Sequence, residues 1–261
     1  MTFSKSTALQ LCAMNQAAYD LATTGHCKLP DGFTAPVAIR MGAGDRPFFL
    51  KGDPLDIWGY ATSIAGKLYI VFRGTQFTSG LDFAQEWAED ALSLPLEQLG
   101  AGKVHLGFYG AWQALRQPVL DASAAVGAPA ANGRVITGHS LGAAIATLCW
   151  ADLGGDLMTF ASPRVGDPPF ATALWNGQTV RVVNAPDIVP DVPTDPPFRH
   201  GGSVQTVQGP GSVLDPALAH ALIEAYEHAL PAASKEEGPG ERPTTFLQFV
   251  QGAIARTELA A

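Results

Sequence analysis

The stretch that most limits how this chain can fold is Gly138-His139-Ser140-Leu141-Gly142. It follows a β-branched run, Val135, Ile136 and Thr137, and leads into Ala143, Ala144 and Ile145, so it reads as a strand, a tight turn and a helix. Glycines two positions either side of a serine have a mechanical reason. The serine is forced into a strained φ/ψ, and a Cβ at the flanking positions would meet strand or helix. Ser140 Oγ then projects above the carboxyl edge of a sheet, beside the unpaired N–H groups of a helix start. A hydroxyl held over ready donors suits acyl transfer, with the Leu141 N–H as one oxyanion donor.

With 261 residues the chain has room for one α/β domain spanning 1–261 and for a substantial core, and it shows no internal repeat. Hydrophobic residues make up 47% and charged ones 15%, which places it among globular proteins. A formal net charge of −8, with no cluster of Lys and Arg, argues against a nucleic-acid partner. No apolar run reaches membrane-spanning length, so a soluble protein is expected. Cys12, Cys27 and Cys149 have no metal-ligand spacing; free thiols are expected in preference to a Cys12–Cys27 disulfide. Gln10, Asn15 and Gln16 make the first segment too polar for a signal-peptide core. It is expected to be a helix of the mature protein, which favours a cytoplasmic location unless a signal was removed ahead of it.

In chain order, residues 5–22 have the spacing of an amphipathic helix that packs on the sheet and takes no part in chemistry. Residues 25–54 are Gly- and Pro-rich and read as loops with a short strand at 37–40. Strand-like runs at 57–64 and 67–72 are joined by Ala65-Gly66, a hairpin signal, and the second is apolar enough for a central strand. It ends in Phe72-Arg73-Gly74-Thr75, which makes Thr75 the candidate second oxyanion donor; the alternative is a threonine that caps the next segment. Phe77, Leu81 and Phe83 fall in residues 76–93, where a short amphipathic helix behind Gly80 reads as a lid over an apolar site or as a packed surface helix. A further helix runs past Pro118, which should kink or restart it. After the nucleophile helix, Gly154-Gly155 closes the element, and strands follow at 157–161 and 179–184. Residues 231–243 read as a flexible excursion and 246–256 as a last short helix.

Asp187 lies just past the strand at 179–184, boxed by Pro186 and Pro190. A carboxylate held there is what a histidine needs to fix its tautomer and stabilise its cation. Of six histidines, His26 and His105 precede the serine, and His139 sits inside the turn, pointing away from Ser140. His200, His220 and His228 remain. His200, just before a strand, suits a structural hydrogen bond, and His228 would lie about 12 Å along a helix from its start. His220, opening a helix over 217–230 after a Gly- and Pro-rich loop, is the preferred base, with His200 next.

Taken together, Val71-Phe-Arg-Gly-Thr75, Trp87-Ala-Glu-Asp90, Val104-His-Leu-Gly-Phe108, the serine turn, Phe160-Ala-Ser-Pro-Arg-Val-Gly166, Arg181-Val-Val-Asn184 with Asp187-Ile-Val-Pro190, and Phe198-Arg-His-Gly-Gly202 make the chain resemble the class 3 lipase family. This family comprises the fungal-type triacylglycerol lipases and their bacterial relatives. The resemblance implies an α/β-hydrolase fold, a central mostly parallel sheet flanked by helices, with a lid segment after the strand ending at Phe72. It implies Ser140 as nucleophile, Asp187 as acid and a Thr75 and Leu141 oxyanion hole. It also puts His200 at a non-catalytic family position, in favour of His220. Two departures stand out: Tyr226 lies further beyond the histidine than the family's aromatic residue, and the three scattered cysteines differ from the disulfides of extracellular members.

The implied reaction is hydrolysis of carboxylic esters through an acyl-enzyme, needing no metal and no cofactor. Its substrate would be an acylglycerol or another fatty-acyl ester, met at a lipid–water interface, with Phe77, Leu81 and Phe83 lining an apolar approach. The same scaffold would serve a carboxylesterase for short or aromatic acyl groups of the feruloyl type, and a silent fold binding an apolar ligand stands as the alternative from another class.

Overall fold

The apolar runs on either side of the serine turn assemble into one sheet. The computed structural model describes residues 3–42, 55–75, 96–100, 102–128, 133–175, 179–212 and 215–232. The strands are β1 (Val37–Arg40), β2 (Ile57–Ile64), β3 (Lys67–Phe72), β4 (Leu96–Leu99), β5 (Gly102–His105), β6 (Arg134–His139), β7 (Asp156–Phe160), β8 (Thr179–Asn184) and β9 (Ser203–Val207). Seven of them form the main sheet in the order β1-β2-β3-β6-β7-β8-β9, while β4 and β5 pair separately. β1, β2 and β3 are antiparallel, and from β3 onward every neighbour is parallel. The mostly parallel sheet is thus built around β6, the strand that carries the serine turn.

Local chemistry accounts for most boundaries. Ala65 and Gly66 both have positive φ (49° and 76°), the backbone a tight hairpin of matching twist requires. β8 is buried along its whole length, as a strand covered on both faces should be. Helix α1 (Lys5–Thr24) starts at Ser4, whose side chain accepts from the Thr7 N–H, and ends at Gly25 with φ 78°. Helix α2 (Leu106–Val126) is continuous through Pro118. The restart expected there does not occur, because Phe108, Ala111, Trp112, Leu115, Val119 and Ala122 form one buried stripe whose packing outweighs a missing backbone bond. The strand expected at 157–161 ends one residue earlier, with Ala161 turning the chain at φ 52°.

Helix α3 (Leu141–Leu153), short helix α4 (Pro168–Ala173) and helix α5 (Pro216–His220) complete the frame. One sheet face packs on α2 and α3 through Trp58, Ile70, Phe72, Ile136, Ile145 and Leu148. The other packs on α1 and the C-terminal turns through Tyr60, Val71, Met158, Phe160 and Tyr226. The single helix expected over 217–230 does not form. It stops at His220, Ala221 is extended (φ −62°, ψ 126°), and a π-helix follows over Leu222–Glu227. The reason is long-range competition for carbonyls. Ala219 O accepts from Asn184 Nδ2 at 2.8 Å and His220 O is met by His139 Nε2 at 3.0 Å, so buried side chains take acceptors a continuing helix would use.

The cysteines are free, Cys12 and Cys149 buried and Cys27 half-buried. Among the described residues no helix is long and apolar enough to cross a membrane. The expected lid over 76–93 and the helix expected at 246–256 lie outside the described residues, as does the excursion expected over 231–243 from residue 233 onward, its first two residues belonging to a 3-10 turn over Leu230–Ala232.

Candidate active site

At the carboxyl end of β6, Ser140 takes φ 58° and ψ −129°, a conformation a non-glycine residue holds at a cost of about 1–3 kcal/mol when its surroundings over-determine it. The surroundings here are backbone. A Cβ on Gly138 would lie 2.1 Å from Gly142 O, and one on Gly142 would lie 2.4 Å from Arg73 O. The turn is therefore clamped between its own helix and the end of β3, and neither glycine admits another side chain. Ser140 N donates to Phe160 O at 3.0 Å, and Ser140 O accepts from Ala143 N at 2.9 Å, starting α3. Ser140 is buried, and its Oγ has no hydrogen-bond partner among the described residues.

Asp187 is fully buried just beyond β8. Its Oδ1 accepts from Val189 N at 3.0 Å; its Oδ2 accepts from His220 Nδ1 at 2.8 Å and from the Tyr226 hydroxyl at 2.5 Å. With Nδ1 donating to the carboxylate, the proton-accepting nitrogen of a neutral His220 is Nε2. The π-helix resolves the spacing of Tyr226: its wider turn delivers the tyrosine to the same carboxylate oxygen as the histidine. Arg164, also buried, holds the following loop by donating from Nη1 to Asp191 O and, at 3.0 Å, to Pro193 O.

His139 does not simply point away from the site. Its ring stacks on His220 with centroids 4.6 Å apart, and its Nε2 faces His220 O, which can only accept, so Nε2 carries the proton. Nδ1 is then the acceptor for the Tyr19 hydroxyl at 2.8 Å, and that hydroxyl accepts from Gly74 N at 2.9 Å. Burial, aided by the neighbouring His220, pushes the His139 pKa well below its ordinary value, so the ring is neutral. Helix α1, expected only to pack, thus enters the site through Tyr19.

Thr75 is half-buried beyond β3, next to Gly74, whose added Cβ would lie 2.7 Å from Ser140 Cβ. The β3 end is therefore in contact with the serine turn. Arg73 fixes that end, donating from Nε to Ile57 O at 2.7 Å and from Nη1 to Gly74 O at 2.9 Å. Leu141 is the first residue of α3 and is buried. His200 donates from Nε2 to Pro190 O at 2.7 Å, bracing the loop that carries Asp187, the structural part its position suggests. Phe77, Leu81 and Phe83 lie outside the described residues.

The sequence reading named Ser140, Asp187, His220, Thr75 and Leu141 but missed Tyr19 and Asn184 and set His139 aside. Tyr19 sits among ordinary helix residues with no local signal. Asn184 closes a recognisable Arg181-Val-Val-Asn184 stretch, and its position at a strand end next to Asp187 was a usable sign. Its Oδ1 accepts from Gly209 N at 2.7 Å while Nδ2 holds Ala219 O, so it ties down the loop and helix that present His220.

Residues 69–196 match the model of the family Lipase (class 3). The secreted mono- and diacylglycerol lipase A of Penicillium cyclopium is 38% identical over 96 residues, 34% of this chain and 32% of that protein. The chain thus matches about a third of the length of such curated relatives. Among solved structures, the mono- and diacylglycerol lipase of Aspergillus oryzae aligns with a TM-score of 0.66 at 20% identity, over 94% of this chain and 90% of that one. A triacylglycerol lipase whose catalytic centre is formed by a serine protease triad aligns with a TM-score of 0.55 at 26% identity, over 77% of this chain and 78% of that one.

Proposed function

We propose that the chain, whose residues 69–196 match the class 3 lipase family, is a member of that family and a serine hydrolase cleaving carboxylic esters, chiefly acylglycerols or other fatty-acyl esters. The observation that carries this reading is the buried pair of His220 Nδ1 and Asp187 Oδ2, 2.8 Å apart, beside a serine turn held at φ 58°. His220 Nε2 takes the Ser140 proton as Oγ bonds to the ester carbonyl carbon. The developing oxyanion is met by the Leu141 N–H and by Thr75. His220 returns the proton to the leaving alkoxide as the ester C–O bond breaks, and water then repeats the sequence on the acyl-enzyme with Ser140 leaving. The ring of His220 needs one tautomer throughout, and the Asp187 carboxylate supplies it.

Acylglycerols are favoured because the Penicillium cyclopium relative is a mono- and diacylglycerol lipase and the triad-bearing structure is a triacylglycerol lipase. The cytoplasmic expectation gains no support from these relatives, since the Penicillium cyclopium and Fusarium solani proteins are secreted lipases by name. Export is the location we propose. Hydrolysis of p-nitrophenyl esters from acetyl to palmitoyl tests the substrate reading. Turnover that peaks at long chains and is abolished in Ser140→Ala but kept in His200→Ala supports a lipase; a peak at acetyl supports a short-chain esterase instead.

A further inference from the structure

Three hydrogen bonds, two part-buried and the last buried, run in series from the β3 end to the backbone of His220. Gly74 N donates to the Tyr19 hydroxyl at 2.9 Å, that hydroxyl donates to His139 Nδ1 at 2.8 Å, and His139 Nε2 donates to His220 O at 3.0 Å. Only one arrangement of protons satisfies the series, because an amide can only donate at one end and a carbonyl can only accept at the other. Each bond crosses between elements far apart in sequence: β3 to α1, α1 to β6, and β6 to α5. The rings reinforce it. Tyr19 meets His139 edge-on at 5.9 Å, His139 stacks on His220 at 4.6 Å, and Tyr226 meets His139 edge-on at 6.0 Å.

We propose that Tyr19 and His139 are positioning residues that hold the Gly74 and Thr75 end of β3 in register with His220, so that oxyanion donor and base are aligned by one hydrogen-bonded chain. The inference rests on the hydrolase reading above and adds to it two residues that act through Gly74 and His220. His139 is well placed for this role because it precedes Ser140 directly: one imidazole is covalently next to the nucleophile, bonded to the base's backbone and tied through Tyr19 to the oxyanion side. The hydroxyl of half-buried Tyr19 would be costly to hold there without partners, and both its partners are site elements. Misplacing catalytic groups by about 1 Å lowers rate by about 100-fold, so the loss of one link should appear in turnover.

The test compares wild type, Tyr19→Phe, His139→Gln, His139→Phe and the double variant Tyr19→Phe/His139→Phe, using a p-nitrophenyl ester and the rate of organophosphonate labelling of Ser140. Tyr19→Phe removes a single oxygen and is expected to lower kcat by about 10- to 100-fold with KM within about twofold, in a protein that stays folded with a lowered melting temperature. His139→Gln can still donate to the His220 carbonyl and should recover part of what His139→Phe loses. The double variant should lose no more than His139→Phe alone, since both break one chain. Turnover of Tyr19→Phe within twofold of wild type, a loss confined to KM, or additive losses in the double variant would overturn the relay while leaving the hydrolase reading intact. A folded wild type that neither turns over ester nor accepts the phosphonate would overturn both.

Discussion

Gly74 has almost no space around its α-carbon: an added Cβ would lie 2.6 Å from the Tyr19 hydroxyl, 2.7 Å from His139 O and 2.7 Å from Ser140 Cβ. Two of these neighbours are backbone or branch-point atoms that cannot swing away. Gly74→Ala should therefore push the β3 end off the serine turn, lowering turnover at least 10-fold and stability by about 1–3 kcal/mol, read by steady-state kinetics and urea unfolding. Tyr226 presents the opposite case, a single atom removed. Tyr226→Phe takes a donor from Asp187 Oδ2 and should destabilise by about 1–3 kcal/mol while lowering kcat more than it changes KM. At this scale the serine turn and Asp187 were legible because strand-end glycines and proline-boxed carboxylates are local patterns. Tyr19 and Asn184 were not, since their importance lies in partners far along the chain, Gly74 and His139 for one, Ala219 and Gly209 for the other.

The elements show the same division. β2 and β3 could be read from β-branched runs and from the Ala65-Gly66 turn, because their signals lie within a few residues of each other. The break after His220 could not, because it is made by Asn184 and His139 taking the carbonyls of Ala219 and His220. Deleting Ile223 tests what the π-helix does. Losing one residue from the wide turn places Tyr226 one position nearer to His220 along the chain and withdraws its hydroxyl from Asp187. The deletion should lower turnover by at least 10-fold; wild-type turnover would mean that the wide turn has no part in placing Tyr226. Pro118 in α2 makes a different point: proline disfavours a helix interior, yet the buried apolar stripe around it keeps the helix continuous. Pro118→Ala restores a backbone donor and should raise stability, by up to about 3 kcal/mol in denaturant unfolding, unless the stripe shifts.

At the largest scale, a sheet covered on both faces brings the ends of β3, β6 and β8 to one edge, and helix α1 reaches the site through Tyr19. The architecture was accessible from the sequence because β3, β6 and β7 are rich in apolar residues and are each followed by a loop or helix signal. Its dependence on pH follows from His139. The native chain holds this ring neutral far below the ordinary value of 6.5, so between that native pKa and 6.5 the unfolded chain binds more protons. Stability from this group is whole above about pH 6.5 and is lost as pH falls, by up to about 1.4 kcal/mol for each unit. Urea unfolding at pH 7.5 and pH 5 should show a steeper loss for wild type than for His139→Gln; equal slopes would mean the buried ring is protonated without difficulty.

The most direct measurement of the central claim is intact-mass analysis after treatment with an organophosphonate, followed by peptide mapping. One adduct on Ser140, absent in Ser140→Ala and formed far more slowly in His220→Ala and Asp187→Asn, is the predicted result. An adduct elsewhere, or labelling of Ser140 at wild-type rate without His220, would contradict the assignment of these three residues as one catalytic unit.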